Sequence, residues 1–210
     1  MLRTIPGRHV VQATLLTIVA GMADAVGFIT MGGVFAANMT GNTVLAGIAV
    51  AERDYLGAWH HAAPLLAFFL GAMLSCLLLR LLRGPAASLL LEAVLIAGVG
   101  FLGIGPEMAV LIVALAMGLQ AAAITRFGGV AVSTVVVTST LARTADAALD
   151  WLWPGQDRPP PSAAHPRLLA LTWIGYLAGA IAGALLVPAF AYPLLVPAAL
   201  LLLTLFLLRP

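Results

Sequence analysis

Eight apolar runs fill almost the whole of this chain, and they leave it few ways to fold. They cover residues 9–30, 34–52, 58–82, 86–104, 107–127, 130–150, 167–187 and 190–208. Gly, Pro or a charged residue marks most of the breaks: Gly32-Gly33, Glu52-Arg53-Asp54, Gly84-Pro85, Gly105-Pro106 and Gly128-Gly129. Each run approaches or passes the ~20 residues that a helix needs to cross a bilayer. Only 9% of the 210 residues are charged and 62% are hydrophobic. Soluble domains have about 25% charged and about 45–50% apolar residues. So few polar groups cannot cover a soluble surface, and so much Leu, Val and Ala excludes a disordered chain. The expected class is an all-α polytopic membrane protein, one membrane domain over residues 1–210 with no room for a soluble one.

The charges that remain are informative. All ten basic residues are Arg, and the net charge is +2. A basic chain can signal nucleic-acid binding, but these arginines sit singly at the ends of runs and form no patch. They read as topology determinants, with no nucleic-acid partner. Cys76 is the single cysteine, so no intramolecular disulfide can form. Arg3 and Arg8 before an apolar run, with Ala23-Asp24-Ala25 behind, mimic a cleaved signal peptide. Because everything downstream is equally apolar, an uncleaved first span is expected. The polar stretch 155–167, with Pro159-Pro160-Pro161, reads as a solvated loop of polyproline character.

The chain repeats itself. Gly21-Met22, Gly32-Gly33 and Thr40-Gly41-Asn42 return as Gly118-Leu119, Gly128-Gly129 and Thr138-Ser139-Thr140, offset by 96 to 98 residues. Phe69-Leu70-Gly71-Ala72 returns as Leu177-Ala178-Gly179-Ala180, offset by 108, the difference falling where the second half carries its long loop. The repeats are expected over about 9–104 and 107–208. If all eight runs cross, with the N-terminus inside, seven arginines face the cytoplasm and three the outside. If the second and sixth runs enter and return, nine face the cytoplasm and only Arg53 the outside. The positive-inside rule favours the second arrangement. It has about six spans and two re-entrant segments, both chain ends are cytoplasmic, and the halves are inverted. Such a plan is common among transporters, and the expected location is the inner (plasma) membrane.

The two odd runs share a design. Seven of the eight residues 130–137 are Val, Ser or Thr, a strand-like composition. Thr138-Ser139-Thr140, good helix caps, then precede an Ala/Leu-rich stretch. The other run has 33–39, then Thr40-Gly41-Asn42-Thr43, then a helical stretch over 44–51. Each reads as an extended piece followed by a half-helix that begins inside the membrane. The free N–H groups of such a start must find side chains, water or a ligand. Two facing starts, at Thr40 and Thr138, would form a midplane site for a polar or anionic solute.

These residues carry a family resemblance. Gly21-Met22-Ala23-Asp24-Ala25-Val26-Gly27-Phe28, Phe35 and Met39-Thr40-Gly41-Asn42-Thr43 resemble the signature of the bacterial YoaK family, small membrane proteins of uncharacterised function. Gly118-Leu119-Gln120-Ala121-Ala122 and Val137-Thr138-Ser139-Thr140-Leu141 fit its second half, so the resemblance covers nearly the whole chain. Ala121 and Ser139 depart from the family's usual Asn and Gly. The resemblance implies about six spans. The paired extended-plus-half-helix segments also resemble the sulfate- and uracil-permease class, in architecture alone.

Asp24 is an acid inside an apolar run, and function is the default expectation for such a group. It can carry a proton or meet a substrate, with an acid close to the outer surface as the alternative. Glu92 reads as a membrane-entry acid near Arg83, with a proton role as the alternative, and His60-His61 as surface histidines with no second cluster at metal-ligand spacing. Arg143 and Asp146, three apart, are expected to pair. No nucleophile elbow, phosphate-binding loop, HExxH or CxxC is present, so no enzyme, cofactor or metal is expected. The expected function is a secondary transporter or channel-like permease. Its solute would be held by Asp24, Asn38, Thr40, Gly41, Asn42, Gln120, Thr138, Ser139 and Thr140. The alternative is a membrane scaffold or assembly subunit. The partners are the bilayer and a small solute or ion, with self-association open.

Overall fold

The computed structural model describes residues 7–127, 130–131, 134, 137–152 and 166–207. It is a helical bundle: α1 (Gly7–Thr30), α2 (Met39–Ala51), α3 (Tyr55–Leu82), α4 (Ala86–Leu102), α5 (Pro106–Ala123), α6 (Val137–Leu152), α7 (Pro166–Ala189) and α8 (Leu195–Leu207). Among the described residues the one strand pairing is antiparallel, between β1 (Arg126–Phe127) and β2 (Val130–Ala131). By length and composition α1, α3, α5 and α7 can each cross a membrane. Of the expected six spans, the other two are shorter: α4 has 17 residues and α8 has 13. At 1.5 Å per residue these are about 25 and 20 Å long. Large apolar side chains on α3, among them Leu66, Phe69, Leu70, Met73 and Leu77, are exposed as a lipid-facing surface would be.

Glycine sets the two tightest helix contacts. A Cβ on Gly21 would collide with the Tyr176 carbonyl and lie 2.9 Å from the Ala180 nitrogen on α7. A Cβ on Gly118 would collide with the Phe68 carbonyl and lie 2.9 Å from the Ala72 nitrogen on α3. Backbones this close suit small residues at membrane helix interfaces. The two contacts are related by the same offsets seen in the sequence, 97 on one side and 108 on the other.

Contacts also fix the directions of the helices. Gly175 lies against Thr14 and Thr17 and Gly183 against Met22, so α7 runs parallel to α1. Residues 56–60 of α3 lie beside 107–111 of α5, and Gly71 lies against Leu115, so these two are also parallel. Gln120 meets Leu16, whereas Pro106 and Ala109 lie beside Thr30 and Val26, so α5 runs antiparallel to α1. It follows that Thr30 and Tyr55 lie at one end of the bundle, and Ala123 and Pro166 at the other. The chain between each pair leaves and returns at the same end. Packing follows a pattern of exchange. α1 packs on α7 as α5 does on α3, α2 on α3 as α6 on α7, and α4 on α5 as α8 on α1. α4 packs on α8 and α1 on α5 across the centre, while the α3–α4 contact has no counterpart among the described residues.

Candidate functional site

The site begins where α1 ends. Gly32 (φ +76°) and Gly33 (φ +74°) are both left-handed, a conformation only glycine adopts freely. They turn the chain back on α1. Nε2 of His60 lies 3.1 Å from the Gly32 carbonyl oxygen, so this histidine belongs to the turn and is not simply a surface residue. The following stretch is buried at Val34, Ala36 and Ala37. It is not the extended piece expected, since the chain bends at Gly33, Ala36 and Ala37; irregular backbone in such a place has no helical partners, and each unmet group is costly. Side chains supply the partners. Asp24 Oδ1 accepts from Ala37 N at 2.5 Å and Asn38 N at 3.2 Å. Asn42 Oδ1 accepts from Phe35 N (2.9 Å), and its Nδ2 donates to the Phe35 carbonyl (2.7 Å). Asn38 then caps α2 by accepting from Gly41 N at 3.1 Å.

Asp24 has a further partner that sequence reasoning missed: the Tyr176 hydroxyl of α7 donates to Oδ2. At 3% exposure Asp24 is no surface acid. It ties α1, the irregular stretch before α2 and α7 together at one carboxylate. The repeat shows what the pair replaces. The counterparts of Asp24 and Tyr176, by the offsets of 97 and 108, are Ala121 and Phe68. The acid and its hydroxyl partner are thus lost together in the second half.

There Gln120 does related work. Its Nε2 donates to the Leu16 carbonyl (3.0 Å) and to Thr134 Oγ1 (3.1 Å), joining α5, α1 and the stretch before α6. Its Oε1 is buried and has no hydrogen-bond partner among the described residues. Leu16 and Asp24 are eight residues apart on α1, about 12 Å.

The expected site residues therefore fall into two groups along α1. Asp24, Asn38, Gly41 and Asn42 lie in one, and Gln120 in the other. Thr40, Thr138 and Ser139 are exposed, and Thr140 is buried. The expected direct approach of the two half-helix starts is not seen. α2 and α6 share no contact among the described residues, because each packs on its own neighbour, α3 or α7. The Gly128-Gly129 pair and most of the loop 155–167 lie outside the described residues. Glu92 departs from expectation: it has no exposed surface, because Ser88, Glu92, Ile96 and Val99 form the buried stripe of α4. Among the described residues no group of three or more His, Cys, Asp or Glu could hold a metal ion.

Apolar helices of spanning length, with buried polar side chains holding a broken segment among them, define a multi-pass membrane protein of the all-α class. Residues 12–207 match the family described as "Protein of unknown function (DUF1275)", and the chain belongs to it. It is similar to the UPF0700 transmembrane protein YoaK of Bacillus subtilis (strain 168), with 29% identity over 140 residues. That alignment covers 61% of this chain and 62% of the relative, so the chain spans less than two thirds of that protein's length. No solved structure matches.

Proposed function

We propose that this protein is a secondary transporter or channel-like permease for a small polar solute, built from two inverted repeats in the inner (plasma) membrane. The observation that carries the reading is the α2 start. It is pinned to α1 and α7 by Asp24 and Tyr176, and the chain around it returns to the end it came from. Helices broken in this way are the usual builders of midplane sites. The exchange of packing between α1–α4 and α5–α8 supports the inverted repeat. The unfilled Gln120 Oε1 is an acceptor for a solute N–H or O–H. An anion is less well supported, since Asn38 and Asp24 already take backbone N–H groups around the α2 start. That same saturation favours the second reading, a scaffold whose polar groups hold shape only.

Stopped-flow swelling of proteoliposomes, over a panel of small neutral and charged polar solutes, tests the choice. The expected result is flux of a subset of solutes, lowered at least tenfold by Gln120→Leu in protein that still elutes as a single species. No flux of any solute by the unaltered protein would leave the scaffold reading.

A further inference from the structure

Glu92 is the one carboxylate among the described residues with both oxygens buried and no hydrogen-bond partner for either. Nothing in the transport site accounts for it. It lies near the middle of α4, which packs on α5, α8 and α3. None of these offers it a charge. Arg80 and Cys76 on α3 are exposed, and His60 and His61 lie near that helix's other end. On α5 the one ionisable group is exposed Glu107 in the first turn, and α8 has none.

The two directions along α4 differ. Four residues towards the α3–α4 turn, about 6 Å, is Ser88, fully buried and bonded to Ser75 on α3 at 2.9 Å. Seven residues the other way, about 10 Å, is Val99. It lines a cavity of about 280 Å³ between the ends of α1 and α4 and the start of α8. Ser88, Glu92 and Val99 occupy one stripe of the helix.

We propose that Glu92 is an internal proton-binding site, which exchanges with one end of the bundle through Ser88 and Ser75 and with the other through the cavity at Val99. The chemistry balances simply. The carboxyl O–H breaks, the carboxylate keeps the electron pair, and water reaching the serines or the cavity takes the proton. A metal cation is the poorer fit, because among the described residues Glu92 belongs to no group of three or more His, Cys, Asp or Glu that could complete a coordination shell. A proton needs only the carboxylate. As the coupling ion of a transporter the proton rests on the proposed function; as a binding site it stands without it.

Infrared spectroscopy of the full chain in lipid nanodiscs at neutral pH tests this. The expected signal is the carbonyl stretch of a protonated carboxylic acid free of strong hydrogen bonds, lost in Glu92→Gln and kept in Asp24→Asn. In D₂O the band should shift, showing exchange, and Ser88→Ala should slow that shift several-fold. If Glu92→Gln does not fold, carboxyl-¹³C glutamate in the unaltered protein replaces it. Glu52 and Glu107 are exposed, so an isotope-shifted band of this kind belongs to Glu92. No such band, or one that never responds to D₂O, overturns the proposal. Solute flux with no exchanging band would leave transport standing and remove the proton site. An exchanging band without flux would do the reverse.

Discussion

At the residue scale, the two halves differ most usefully at one pair. Asp24 and Tyr176 in one half stand where Ala121 and Phe68 stand in the other. Removing the Asp24 carboxylate alone strands the buried N–H of Ala37 and the neighbouring N–H of Asn38, at about 1–3 kcal/mol for each unmet group. Tyr176→Phe removes one bond to the carboxylate, about 1–2 kcal/mol on the evidence of polar contacts in membrane bundles. Asp24→Ala should therefore destabilise more than Tyr176→Phe. The double variant imports the other half's pair and should lose less than the sum, by ~1 kcal/mol. Reversible unfolding in mixed micelles measures this, and additivity within about 0.4 kcal/mol would mean the two side chains act independently. Asp24 was legible in the sequence as a solitary acid in an apolar run. Tyr176 was not, because its partner lies 152 residues away and no local pattern marks the contact. Glu92 was misread for a related reason. Its distance from Arg83 in sequence says nothing of which side of α4 faces the bundle.

At the element scale, both half-helices were legible to within a residue. α2 begins at Met39 and α6 at Val137, where starts at Thr40 and Thr138 were expected. Composition gave this away, since a strand-like or glycine-broken stretch cannot continue a helix and capping residues follow it. The cap itself is Asn38, whose short amide reaches Gly41 N from one residue before the helix. Which helix each half-helix packs against could not be read, because α2 and α6 have no sequence feature that selects a neighbour. The long helices do have one: the small residues at Gly21 and Gly118. Gly21→Val and Gly118→Val each push a side chain into backbone and should cost about 1–3 kcal/mol. Gly98→Val has open space around it and should be near neutral. Residual monodisperse protein after graded heating reports the order, and a Gly98→Val variant as impaired as the other two would argue against close α1–α7 and α3–α5 packing.

At the scale of the whole molecule, helix direction and charge meet. The start of α1, the end of α3, the end of α5 and the start of α7 share one end of the bundle. With them go Arg8, Arg80, Arg83, Arg126 and Arg167. The opposite end holds Arg53, flanked by Glu52 and Asp54, with Glu107 beside it. The arginine count in the sequence and the helix contacts thus sort the chain the same way, though one rests on charge and the other on packing. Arginine and lysine are retained on the cytoplasmic side during insertion, so the arginine-rich end is expected to face the cytoplasm. The Gly84 turn should then be internal and Gly105 external. Single cysteines at these positions, in a Cys76→Ala background, test this with a membrane-impermeant maleimide on intact cells and on inverted vesicles. Cys76 must go because it is exposed on α3 and would label on its own. The expected outcome is labelling of 105 in cells, and of 84 only in inverted vesicles or after lysis. Labelling of 84 from outside would reverse the orientation. Labelling of both positions from the same side would be worse for the fold, since α4 would then fail to separate them and the crossing of the two halves would have to be redrawn.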